Sequence, residues 1–249
     1  MSHSKLAICE YVWLGNVGYQ ATWDLQEEWA GEIAVGRRLP TLMLLEHPHT
    51  YTFGRSGHQE NLLWDAVQLQ ERGVEVHWVD RGGDITYHGP GQLVGYPLVP
   101  LGRPDPTGKL DRPDYLAYLR NIEAVLIDTL AHYGLAAGQV EGLTGVWIQP
   151  DVASRCPHCP PAARKRAAKL AAIGVKVDVH GVSRHGFALN VDPNMSYWDG
   201  IIPCGIDDHP VVSMADLMWK SPAIEDVAEV VAGAFGRVFG YEMRLSQAD

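Results

Sequence analysis

The residue best placed by its neighbours to do covalent chemistry is Cys204, in the run IIPCGI. A thiol between Pro203 and Gly205, following two β-branched residues, sits where a strand should end in a sharp turn. Gly205 has no side chain, so its N–H could approach a reacting carbonyl and steady an oxyanion. The competing reading is a buried cysteine acting as a small hydrophobe, which for a lone cysteine is the commoner outcome. A thiol of ordinary pKa, about 8.5, is barely ionised at neutral pH and needs a nearby base or cation to attack.

Lys169, in AAKLAAIG, opens a segment of small apolar residues. A lysine desolvated there could exchange its proton with a thiol. Spacing alone favours a surface lysine closing RKRAAK, and does not separate Lys169 from Lys176.

The densest glycine region is RGGDITYHGPGQLVGYPLV, from Arg81 to Val99. It matches neither a Walker loop nor a dinucleotide fingerprint. Its glycines would let backbone come close to a ligand, while Pro90 stiffens the turn. A plain β-turn would not need Arg81, Thr86, His88 and Gln92 around it, so a binding role is favoured. Of the other histidines, His185 could order the same pocket, while His47 and His49 flank Pro48 and fit a loop role. No H-E-x-x-H occurs.

Cys156 and Cys159 form a C-x-x-C, half of a tetrahedral zinc set. No second pair follows to complete it, although His158 or another chain could contribute. A surface loop with two thiols is slightly favoured, and no metal is assigned.

These residues need elements to hold them. Strands are expected at 6–14, 41–46, 74–79, 145–148, 171–177, 187–191 and 240–245, from short apolar or alternating runs bounded by Gly and Pro. Helices are expected at 19–35, 64–72, 114–133, 211–219 and 223–239. The stripe Leu116, Leu119, Ile122, Val125, Leu126, Thr129 and Leu130 gives the clearest of them. Residues 47–57 read as a loop, 101–113 as a Pro- and Gly-rich linker, and about 150–166 as a polar insertion. Interleaved strands and helices point to an α/β class with a mixed sheet, in one domain spanning 1–249.

Composition agrees: 46% hydrophobic and 20% charged residues are ordinary for a globular protein. A net charge of −10 argues against nucleic acid as the main partner. Basic islands at Arg37-Arg38 and Arg164-Lys165-Arg166 would suit an acidic partner protein, though solvated helix ends explain them as well. No apolar run is long enough to cross a bilayer, and the first residues lack a secretory pattern, so a cytoplasmic enzyme is expected.

Taken together, HPHTYTFGR, RGGDITYHGPGQLVGYP, HGFALNV and IIPCGI occur in an order that closely resembles the lipoyl(octanoyl) transferases, from about residue 6 to residue 245. The resemblance implies the fold shared with biotin and lipoate protein ligases. It implies transfer of an octanoyl group from octanoyl-acyl carrier protein to a lysine of lipoyl domains, the first step of endogenous protein lipoylation, without a cofactor. The acceptors implied are the lipoyl domains of 2-oxoacid dehydrogenase complexes and the glycine cleavage H protein. Cys204 would carry the acyl thioester and Lys169 would activate it. Substrate contacts would fall on Arg81, Gly82, Gly83, Asp84, Ile85, Thr86, Tyr87 and His88, on Ala172, Ile173 and Gly174, and on Gly186, Phe187 and Ala188. Between Ile148 and Lys169 the chain looks longer than the family pattern. Two rivals remain: an ATP-dependent lipoate–protein ligase, which needs no nucleophilic cysteine, and a non-catalytic adaptor, in which loss of Lys169 or Cys204 would be expected.

Overall fold

A computed structural model describes residues 6–102, 114–155, 159–203 and 209–246. Eleven strands and five α-helices are assigned among them. An eight-stranded mixed sheet runs in the order β11 (Tyr241–Leu245), β1 (Ala7–Asn16), β2 (Thr41–Glu46), β6 (Gln92–Leu98), β10 (Ser183–Asn190), β9 (Ala168–Val177), β8 (Leu143–Ile148), β7 (Gly138–Val140). Within this sheet, among the described residues, only the β11–β1 and β1–β2 strand pairs are parallel. A smaller sheet is ordered β4 (Glu75–Trp78), β3 (Thr50–Phe53), β5 (Ile85–His88).

Helices cover both faces of the large sheet, which is why β2, β6 and β10 read as unbroken buried runs rather than alternating ones. On one face lie α3 (Tyr115–His132) and α5 (Ile224–Phe239), burying Tyr118, Ile122, Val125 and Leu126 with Val227, Val231 and Phe235. On the other lies α1 (Tyr19–Ala34), packing Ala30 and Ile33 on Met43, Leu45, Val94 and Ala188. Asp114 caps α3 through its bond from the Ala117 N–H. Asp65 and Gln68 form a capping box that starts the short α2 (Ala66–Glu71). Among the described residues no helix is long and apolar enough to cross a membrane.

Three expectations need correction. Residues 47–57 contain strand β3, whose alternating Tyr51 and Phe53 fill the small sheet's core. The helix expected over 211–219 does not form. Its backbone is taken up by neighbouring strands, with Val212 N–H bonded to Lys169 O and Met214 N–H to Asn190 O. The insertion at 150–166 starts with a short α4 (Pro150–Ala153) and is not simply a solvated loop: Ala153, Cys159 and Ala163 are buried in the main core. Cys156 and His158 lie outside the described residues. Among the described residues no cluster of three metal-ligating side chains occurs.

Candidate active site

Lys169 lies near the start of β9 and is only 6% exposed, against the surface position that spacing favoured. Its N–H donates to Pro210 O (2.8 Å), and its carbonyl accepts from Val212 N–H (2.9 Å). The β8–β9 register shifts here: Val146 faces Ala171 but Trp147 faces Lys169, leaving Leu170 as one extra residue on β9. Such a bulge re-aims the side chain beside it. Lys169 Nζ rests 4.8 Å from the centroid of the fully buried Trp147 ring.

Lys169, Trp147, Val211, Pro203 and His209 line one small cavity of about 10 Å³. Cys204 falls in 204–208, outside the described residues. The two described residues that flank this segment in sequence, Pro203 and His209, thus both meet at Lys169. Lys176 has a different setting. It lies toward the other end of β9, ion-paired with Asp80.

From Lys169 an outer groove of about 360 Å³ runs past Ile173 and Gly174 to Gly82 and Gly83, walled on its other side by Leu119, Leu143 and Thr144. Those four residues (Gly82, Gly83, Ile173 and Gly174) also line an inner cavity of about 50 Å³. The inner cavity is built on β9 and β10, which pair antiparallel with Ala172 opposite Ala188, Ile173 opposite Phe187 and Gly174 opposite Gly186. The two triplets that the family resemblance implied are therefore one cross-strand patch. Gly95 on β6 lets the Phe187 ring lie across that strand, since a Cβ there would fall 2.1 Å from the ring.

The glycine block supplies the roof. Arg81, 7% exposed, donates from Nη2 to Thr52 O (2.5 Å) and Oγ1 (2.8 Å), and from Nη1 to Gly82 O (2.9 Å). Asp84 holds the neighbouring loop, accepting from His58 N–H (2.9 Å) and Asn61 Nδ2 (2.5 Å). On β5 the strand period separates the block: Thr86 and His88 face the cavity, whereas Ile85 and Tyr87 turn into the small sheet's core with Tyr51 and Trp198. Ile85 and Tyr87, expected at the substrate, do not line the cavity.

Tyr19 and Tyr96 also line the cavity and were not identified from sequence. Behind them, Tyr96 OH donates to His47 Nε2 (2.8 Å) and His47 Nδ1–H to Val17 O (2.7 Å). Burial keeps His47 neutral, with its pKa lowered to about 4. His185 lines the wall in a left-handed backbone conformation (φ 55°), which β-carbon residues seldom adopt. Its Nε2–H donates to Asp80 (2.7 Å), so Nδ1 is left as an acceptor. Burial pushes its pKa down, although Asp80 pulls the other way. Asp80 also receives Arg184 (2.8 Å). His185 Nδ1 and Thr86 Oγ1 are buried without a hydrogen-bond partner among the described residues. The wall thus combines apolar surface with two residues, His185 and Thr86, that each carry a buried polar atom without a partner among the described residues.

Residues 18–236 match the lipoyl protein ligase A/B catalytic domain family. Among its relatives, an octanoyltransferase of Chloroflexus aurantiacus is 42% identical over 233 residues, covering 94% of this chain and 95% of that protein. An octanoyltransferase of Solibacter usitatus is 40% identical and covers 92% of each. Similar in fold is a bi-partite lipoate protein ligase of Thermoplasma acidophilum, with a TM-score of 0.69 at 16% identity, covering 98% of this chain and 88% of that one. Lipoate-protein ligase A bound with ATP gives a TM-score of 0.64 at 14% identity, covering 98% and 90%.

Proposed function

The chain belongs to the lipoyl protein ligase A/B catalytic domain family as an octanoyltransferase, and from that premise we propose that it works through a cysteine acyl-enzyme. The donor is octanoyl-acyl carrier protein and the acceptor a lysine of a lipoyl domain. The observation that carries this reading is that Lys169 shares a cavity with Pro203, the residue preceding Cys204, at one end of a groove leading to a glycine-lined slot.

In the first step Cys204 Sγ attacks the donor thioester carbonyl, with Lys169 taking the thiol proton. The new C–S bond forms, the old one breaks, and the departing thiolate recovers a proton from Lys169. In the second step the neutral ε-amine of the acceptor lysine attacks the acyl-enzyme. An amide forms, Cys204 leaves as a thiolate, and Lys169 carries the amine proton back to it. Atoms and charge balance in both steps, and because thioester to amide is downhill no nucleotide is needed to drive the transfer. The acyl chain lies against Ala172, Ile173, Phe187 and Ala188, under Gly82 and Gly83. Each methylene buried there contributes about 0.8 kcal/mol.

The test is incubation with octanoyl-acyl carrier protein and no acceptor, read by intact mass and peptide mapping. One hydroxylamine-sensitive octanoyl group should appear on Cys204 and then move to an added lipoyl domain without ATP or magnesium. Cys204→Ala should do neither. An adduct on another cysteine, or transfer that requires ATP, would overturn the reading.

A further inference from the structure

The fold buries one carboxylate that the reaction above does not use. Glu123, in the middle of α3, is 1% exposed. Its Oε2 accepts from Arg120 Nη1 (2.6 Å), whose own side chain is 43% exposed, while its Oε1 accepts from the backbone N–H of Gly145 on β8 (3.2 Å). Desolvating a carboxylate is costly and is repaid only through well-made bonds. Helix-to-strand packing in the surrounding core is otherwise apolar, made by Ile122, Val125, Leu126 and Val146. Cohesion alone therefore gives no reason for an acid at this position.

What Glu123 holds is the contact surface of Lys169. Gly145 has φ 126°, a conformation that side-chain-bearing residues rarely take. A Cβ on it would fall 2.6 Å from Ala171 O, 3.6 Å from Trp147 Nε1 and 3.7 Å from Lys169 Cε. Gly145 thus lies against the lysine side chain, the tryptophan beneath it and the β9 carbonyl beside the Leu170 bulge. Its N–H is anchored on α3.

Resting on the functional reading above, we infer that Glu123 is a positioning residue for Lys169. By fixing Gly145 it sets the strand geometry that seats the lysine over Trp147, facing the cavity with Pro203 and His209. The role needs a hydrogen-bond acceptor at Glu123 Oε1, and it acts through Gly145 rather than on substrate.

The experiment compares two variants that keep the side-chain volume. Glu123→Gln retains an acceptor for Gly145, and Glu123→Met does not. Single-turnover acylation of Cys204 is measured by intact mass across donor concentrations, with folding checked by thermal melting. Glu123→Gln should keep the maximal acylation rate within about threefold, while Glu123→Met should lower it by about tenfold to a hundredfold at unchanged half-saturating donor, as misplacement of a reacting group does. Equal rates in the two variants would overturn the inference. If the methionine variant does not fold, Glu123→Asp, which keeps the charge but shortens the reach, decides: a wild-type rate there overturns it and a tenfold loss supports it. Wild-type protein that forms no acyl adduct would overturn the functional reading and this inference with it, whereas a failure confined to the variants overturns the inference alone.

Discussion

Lys169 and Val211 face each other as a parallel bridge, and both backbone groups of Lys169 are taken by the residues on either side of Val211. The lysine is thus tied to the chain that returns from the Cys204 segment, not only to its own sheet. Two residues far apart in sequence are held in one frame by ordinary ladder bonds, each contributing about 1 kcal/mol net.

That frame makes the role of Lys169 testable. Lys169→Ala should slow acylation by roughly 10²–10⁴-fold, the range for loss of a positioned base, with little change in the melting curve. Lys176→Ala should instead lower the melting temperature and leave acylation within about threefold, because Lys176 is committed to Asp80. The reverse pattern, with Lys176 needed for chemistry and Lys169 dispensable, would show that the wrong lysine had been chosen.

Gly174 lies where the inner cavity meets the outer groove. A Cβ there would stand 3.1 Å from Arg81 Cδ and from Gly82 O, both of which are held in place. Gly174→Ala should therefore narrow the slot and lower efficiency with an octanoyl donor roughly tenfold, in line with the effect of one methylene in a tight pocket. The loss should be smaller with a butanoyl donor. Equal losses across chain lengths would mean that the acyl chain does not pass Gly174.

His47 links acidity to stability. Burial lowers its pKa to about 4, while the unfolded chain has a histidine near 6.5. Between these values the unfolded state binds the extra proton, so stability falls as pH drops from 6.5 toward 4, by roughly 3 kcal/mol at the lower end. In His47→Gln this component should vanish and stability should fall less over the same interval. Urea unfolding at pH 7, 5.5 and 4 measures both slopes, and parallel slopes would rule the account out.

Much of the scaffold was legible because it rests on local physics. The run Thr41–Glu46 between two prolines is β2, and the stripe from Ile122 to Leu130 is the inner face of α3, whereas Leu116, expected on the same stripe, is exposed. The glycine-rich block also announced itself, since close approach of backbone to a ligand leaves a compositional trace, whereas the triplets 172–174 and 186–188 came only from the family resemblance. Tyr19, Tyr96 and Glu123 left none. A tyrosine lining a cavity and a carboxylate inside a helix stripe have the same sequence signature as core and surface residues.

The sequence by itself determined the class of fold, the order of most elements and the residue types available for acyl transfer, because hydrophobic period, glycine and proline act over a few residues. Tertiary structure decided which of those residues meet. The 2.0-residue strand period divided Arg81–His88, turning Thr86 and His88 to the cavity and Ile85 and Tyr87 to the small sheet's core. One extra residue at Leu170 and the pairing with Val211 made Lys169, not Lys176, the lysine beside Pro203. Register and bulges depend on partners tens of residues away, and a local pattern carries no record of where those partners stand.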